Sequence, residues 1–195
     1  GVKHVMPVRN QLATRTIFNL LGPLINPAGP KIQLMGVYDP KQCFAAADSL
    51  RLSGTQAAMV VHSCGCDEIT LAGPTHVAEL KEGEITEYQL NPQDFGLSEA
   101  PLSAIKGGTP AKNAEQFSQL LSGNFNTDSD NAGLVDTVAA NAGALFYLAG
   151  KADSLKSGVV KAKTIIKSGA GLEKLKAIAK LSQQENKVSK PINSE

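Results

Sequence analysis

Tryptophan is absent from this chain, aromatic residues make up 5% of it, and cysteines number only three. Cys43, Cys64 and Cys66 form an odd and sparse set, which argues against a disulfide framework and points to reduced thiols in a cytoplasmic protein. No apolar run reaches the ~18 residues that a helical membrane span requires, and the start carries no signal-peptide pattern, so no membrane partner is expected. Neither sign of charge dominates. Lys and Arg total 19 against 18 Asp and Glu, a formal net charge of +1, which counts against nucleic acid as the main partner. Neither G-x-G-x-x-G nor G-x-x-x-x-G-K-[ST] occurs, so a Rossmann fingerprint and a P-loop are both missing. Internal repeats and low-complexity tracts are also missing.

What remains is an ordinary globular composition. The 195 residues are 42% hydrophobic and 19% charged, enough for one domain with a real core, or one domain and an appendage. Gln33 to Tyr38 is short, apolar and bounded by turn signals, and reads as a buried strand. Asp39-Pro40 is an N-cap and N1 pair for a helix that buries Cys43, Ala46, Ala47 and Leu50 and stops before Gly54. Ala57 to Val61 is a second continuous apolar run. Strand, helix and strand over about 30 residues make a parallel βαβ unit with a right-handed crossover. Val77–Leu80 and Ile85–Leu90 flank Lys81-Glu82-Gly83-Glu84 as an antiparallel hairpin on a mixed sheet.

Helices complete the pattern. Pro7 to Thr14 and Thr16 to Leu21 read as short helical pieces, the second stopped by Gly22-Pro23. A helix from about Ala111 to Leu121 follows Gly107-Gly108-Thr109-Pro110. Asp130 is expected to cap a long helix to Leu148, with Leu134, Val135, Val138, Leu145 and Phe146 as its apolar stripe and Gly150 as its stop. Two more helices are expected over Ser154–Lys167 and Gly171–Leu181. The fold class is therefore α/β: a mixed sheet with a parallel βαβ core, flanking helices and an antiparallel hairpin. Residues 1–181 form the domain, and the polar residues 182–195 are expected to fray as a disordered tail.

Two places could carry chemistry, although on the residues alone a solvated Asp-Glu turn and a surface or ion-paired arginine are the simpler readings. Asp67-Glu68 follows the second apolar run, and ligands of open α/β sheets gather at the carboxyl ends of parallel strands. Adjacent strand residues point to opposite faces, so the pair can serve one metal only from a bent loop, and Gly65 makes such a bend easy. Two hard carboxylates suit Mg²⁺, which completes its shell with waters and substrate phosphates. The other place is Arg9-Asn10-Gln11-Leu12-Ala13-Thr14-Arg15 leading to Gly22-Pro23 and Asn26-Pro27-Ala28. An arginine fork beside a proline-shaped backbone can hold a small flat carboxylate. His62, Cys64 and Cys66 suggest zinc, but H-x-C-x-C is tighter than the usual ligand spacing and lacks a fourth ligand. Gly107-Gly108-Thr109 could cradle a phosphate, although no strand clearly feeds it, and a plain connector is the simpler reading.

The stretch Arg9–Ala28, with Asp67-Glu68, resembles the anthranilate phosphoribosyltransferase family of tryptophan biosynthesis, and the resemblance covers Lys3 to about Leu181. It implies a phosphoribosyltransferase-like C-terminal domain of the nucleoside phosphorylase type. It also implies transfer of the phosphoribosyl group of phosphoribosyl pyrophosphate to anthranilate. Under it Arg9 binds the anthranilate carboxylate, Gly22 and Pro23 lie along its ring, and Asp67 and Glu68 hold Mg²⁺. Arg15 matches an arginine of the family motif, where an ion pair is its expected job, and Asn19 is expected to bond local backbone. No residue is assigned as catalytic acid or base.

Departures from the family pattern set further expectations. Ala13 stands where members often have glycine. The G-T-G-G-D loop that grips pyrophosphate is absent, as is the helical N-terminal part through which a homodimer is expected to form. An N-terminal portion is therefore expected to be missing, and the 195-residue chain alone is expected to be inactive. A glutamine amidotransferase subunit is a further possible partner. The rival readings are a pyrimidine nucleoside phosphorylase and a non-catalytic nucleic-acid-binding member of the same fold.

Overall fold

The computed structural model describes residues 18–125 and 132–188, apart from the side chains of residues 18, 19 and 184–188. The chain opens with α1 (Phe18–Leu24), then β1 (Ile32–Gly36), α2 (Cys43–Leu52), β2 (Ala57–Ser63), β3 (Thr75–Lys81) and β4 (Glu84–Leu90). Helices α3 (Pro110–Leu121), α4 (Ala132–Leu148), α5 (Leu155–Ser168) and α6 (Ala170–Val188) follow. The sheet order is β1-β2-β3-β4. β1 and β2 are parallel, with Ile32 opposite Ala57 and Gly36 opposite Val61, while β2–β3 and β3–β4 are antiparallel. The βαβ unit and the hairpin thus form where the apolar runs place them.

β2 reads as unbroken hydrophobic sequence because both of its faces are covered. Met59 and Val61 join one core with Ile69, Leu71, Val77 and Phe95, closed by Ala139, Ala140 and Ala144 of α4 and Val159 and Ala162 of α5. Ala58 and Val60 join the other with Met35, Val37, Ala78 and Leu80, closed by Cys43, Ala46, Ala47 and Leu50 of α2; Leu20 and Leu24 of α1 lean on its rim. Asp39 starts the crossover as its spacing predicts. Its Oδ1 accepts the Lys41 N–H at 3.0 Å, with Pro40 at the first position of a 3-10 turn that runs into α2.

Two tight turns share one device. Glu82 and Gly83 have φ of 53° and 84°, and Cys64 and Gly65 have φ of 51° and 84°. Positive φ at both central residues is what a two-residue turn needs to match strand twist. The first closes the β3–β4 hairpin at Lys81 and Glu84. The second folds the chain back at the end of β2, where the Ser63 and Cys66 N–H groups donate to each other's carbonyl oxygens at 3.1 and 2.8 Å.

Three expectations differ from the structure. Gly22-Pro23 do not stop α1, which runs through them to Leu24. Proline removes one N–H and crowds the carbonyl four residues back, but Ile25 still donates to the Leu21 oxygen at 2.9 Å, so the last turn survives. The buried face of α4 is Val135, Thr137, Ala139, Ala140, Gly143 and Ala144, while Leu145 is 43% exposed. Small residues win because α5 packs almost backbone to backbone: a Cβ on Gly158 would sit 2.3 Å from the Gly143 carbonyl oxygen. Finally, the last helix continues past Leu181 to Val188. The expected helix at Pro7–Thr14 and the Asp130 cap lie outside the described residues.

Candidate functional site

The site is built on the carboxyl ends of the two parallel strands. β2 ends at Ser63, the Cys64-Gly65 turn reverses the chain, and Asp67 and Glu68 follow on an exposed loop before Ile69 re-enters the core. Several contacts hold this loop. The backbone of Asp67 crosses the end of β1 so closely that a Cβ on Gly36 would lie 1.4 Å from the Asp67 carbonyl oxygen. Only glycine permits that approach. The Ser63 and Thr70 hydroxyls, both buried, meet at 2.7 Å. Asn141 of α4 grips Ile69 at both polar atoms: its Oδ1 accepts the Ile69 N–H at 3.1 Å and its Nδ2 donates to the Ile69 carbonyl at 2.8 Å. Its Nδ2 also donates to the Thr137 carbonyl at 2.9 Å, on its own helix.

Electrostatics mark the same loop. Partial desolvation, and then the neighbouring charge of Asp67, push the Glu68 carboxyl above its ordinary value. Burial, followed by the charges of Glu68 and Asp67, pushes the Cys66 thiol up as well. A thiol held protonated is a poor ligand and a poor nucleophile. Two like charges side by side make an arrangement that a cation relieves. No cluster of three or more metal-ligating side chains occurs among the described residues. The donor set is therefore two exposed carboxylates. That fits a hard cation that keeps waters and takes substrate phosphates, and does not fit a closed structural zinc site.

His62, offered as a third member of a zinc set, is 9% exposed and has a different task. Its Nδ1 lies 2.9 Å from the Val37 carbonyl. A carbonyl only accepts, so Nδ1 carries the proton and ties β2 to the chain leaving β1. Gly107-Gly108-Thr109 also spends its donors inward. The Gly108 N–H donates to Asn113 Oδ1 at 2.7 Å, and Thr109 Oγ1 accepts the Lys112 N–H at 3.3 Å as the cap of α3. The loop borders a hollow of about 260 Å³ with Ile105, Phe117, Leu120 and Leu134 in its lining.

Gly22 and Pro23 lie in α1 and are exposed. Among the described residues nothing stands within 4 Å of where a Gly22 side chain would begin. The Pro23 carbonyl accepts from Gln33 Nε2 at 3.3 Å, which fastens the end of α1 to β1. Gln33 precedes Gly36 by three residues, roughly 10 Å along a strand, so the helix end and the acidic loop attach to the same strand. Arg9 and Arg15, and the side chain of Asn19, lie outside the described residues. Sequence reasoning missed Gly36 and Asn141. Each left a faint signal: a glycine inside an apolar strand, and an asparagine among the small residues of a buried helix face.

A mixed α/β domain with a carboxylate pair beyond its parallel strands places its candidate site where ligands of open α/β sheets gather. The family described as "Glycosyl transferase family, a/b domain" matches residues 1–172, and the chain belongs to it. It is 50% identical over 184 residues to the anthranilate phosphoribosyltransferase of Shewanella sp. (strain MR-4), covering 94% of this chain and 52% of that protein. The enzyme of the same name from Pseudoalteromonas translucida is 48% identical over 182 residues, covering 93% of this chain and 50% of that protein. Among solved structures, the anthranilate phosphoribosyltransferase of Thermus thermophilus aligns with a TM-score of 0.80 at 43% identity, over 90% of this chain and 50% of that one. The Saccharomyces cerevisiae enzyme in complex with PRPP and Mg aligns with a TM-score of 0.79 at 30% identity, over 90% and 49%. The chain thus spans about half the length of the relatives it matches.

Proposed function

We propose that the full-length protein transfers the phosphoribosyl group of phosphoribosyl pyrophosphate to anthranilate, giving N-(5-phosphoribosyl)anthranilate and pyrophosphate in tryptophan biosynthesis. The observation that carries this reading is the acid pair, held rigidly at the carboxyl ends of two parallel strands in a chain half identical to enzymes of that name. Asp67 and Glu68 would hold the magnesium ion, which when bound neutralises charge on the departing pyrophosphate. Gly22 leaves room for the acceptor's ring, and Pro23 gives it a fixed wall without a donor. Arg9 pairs with the anthranilate carboxylate, a bond to a charged group worth about 1.5–3 kcal/mol. The chain's own contribution is thus to fix carboxylates and to position the acceptor, with most of the rate coming from orientation and charge neutralisation.

A homodimer, a glutamine amidotransferase partner and a cytoplasmic location belong to the same proposal. No helix among the described residues is long and apolar enough to cross a membrane. The test uses the full-length protein. Arg9→Ala should raise the KM for anthranilate by about tenfold or more, with little effect on phosphoribosyl pyrophosphate. Asp67→Asn should raise the magnesium requirement and leave the anthranilate KM near its starting value. Wild-type behaviour from both variants would overturn the reading. The present 195 residues alone should give no product with both substrates and magnesium; product fluorescence would contradict that.

A further inference from the structure

We infer that Asn141 is a positioning residue for the Asp67-Glu68 pair, acting through the backbone of Ile69. The inference rests on the metal-binding reading of that pair. Asn141 sits in the third turn of α4, far from the acid pair in sequence, yet its amide closes on the residue that directly follows Glu68. The contact copies a strand pairing: one acceptor faces the Ile69 N–H and one donor faces the Ile69 carbonyl. Ile69 is fully buried, so water cannot replace either bond. Nδ2 also donates to Thr137, which fixes the amide's orientation on its helix.

The loop is held on its other side by Gly36, against which the Asp67 backbone lies. Asp67 and Glu68 therefore sit between two fixed points, one on β1 and one on α4. Neither carboxylate has a hydrogen-bond partner or ion pair among the described residues that would orient it from outside the loop. Among the described residues their placement comes from the backbone. Partners of this indirect kind alter metal affinity or activity by about 10- to 100-fold when removed. The same helix packs on α5 through Gly143.

The experiment compares full-length variants by two readouts: the magnesium concentration giving half-maximal rate, and the Mn²⁺ concentration that broadens amide signals of residues 64–71 in NMR. Asn141→Ala should raise both by about 10-fold or more, with the KM for anthranilate unchanged. Asn141→Ser, which keeps one polar contact, should give a smaller shift and serves if the alanine variant does not fold. Val135→Ala, buried on the same helix, controls for lost stability and should shift neither readout. Wild-type metal dependence in both Asn141 variants overturns the inference, as does an equal shift in Val135→Ala. Asp67→Asn run in parallel separates the two levels. If it moves both readouts and the Asn141 variants do not, the positioning role fails alone. If it moves neither, the metal reading fails and takes this inference with it.

Discussion

The two candidate binding elements are built in opposite ways. The acidic loop is gripped by Gly36, Asn141 and the Ser63–Thr70 hydroxyl pair, and its neighbours Ile69 and Thr70 are buried. The Gly22-Pro23 end of α1 is exposed and is fastened to β1 by a side-chain hydrogen bond from Gln33. The difference suits the two tasks proposed for these elements. A carboxylate pair that must hold a cation needs its geometry fixed before the cation arrives. A wall for a flat ring, the role proposed for Gly22-Pro23, needs open space, and among the described residues nothing stands within 4 Å of where a Gly22 side chain would begin.

That contrast can be broken most strongly at Gly36. Gly36→Ala forces a Cβ into the Asp67 carbonyl and should cost about 3 kcal/mol or more, read as a lower urea midpoint. Asp67→Asn comes next. It should leave stability within about 0.5 kcal/mol of wild type, since the side chain is exposed, while the magnesium requirement rises by about tenfold or more.

The pH dependence sharpens the loop's side of the comparison. Burial, and after it the charge of Asp67, raise the Glu68 pKa above its unfolded value. Its contribution to stability is therefore full below the unfolded pKa and is lost as pH rises through the folded one. Without metal, Glu68→Gln should unfold at higher urea than wild type at neutral pH, and the gap should close in acid. A bound cation reverses the sign, because only the ionised carboxylate binds it, so wild-type magnesium affinity should fall as pH drops through the folded pKa. A flat profile for both would contradict the electrostatic account.

The smallest effect is expected at the open element. Gly22 lies in a helix with free space beside it among the described residues, so Gly22→Ala should stabilise the protein by about 0.5–1 kcal/mol while weakening anthranilate binding. A loss of stability would mean that other residues already fill that space.

Much of this was legible in the sequence, and the reasons can be named. The apolar runs of β1 and β2, with Asp39-Pro40 between them, specify a βαβ unit because local signals and burial agree there. The position of Asp67-Glu68 after a strand was legible from the apolar run before it, while the magnesium role proposed for the pair came from the family resemblance. Contacts between distant residues were not legible. Nothing local says that Gly36 must make room for Asp67, or that Asn141 will meet Ile69 72 positions away. The stripe on α4 was legible in part: Val135 is buried and Phe146 packs against the core, but Leu145 is exposed, because a close helix–helix crossing selects Ala and Gly for the rest of that face.

The central claim is that the acid pair and the acceptor wall serve one reaction centre. Fluorine NMR on the full-length protein tests it most directly, with 4-fluoroanthranilate as acceptor and Mn²⁺ in place of magnesium. The account predicts strong Mn²⁺ broadening of the bound ligand's fluorine signal, abolished by Asp67→Asn. Mn²⁺ and 4-fluoroanthranilate both bound, with the fluorine signal unbroadened, would contradict it.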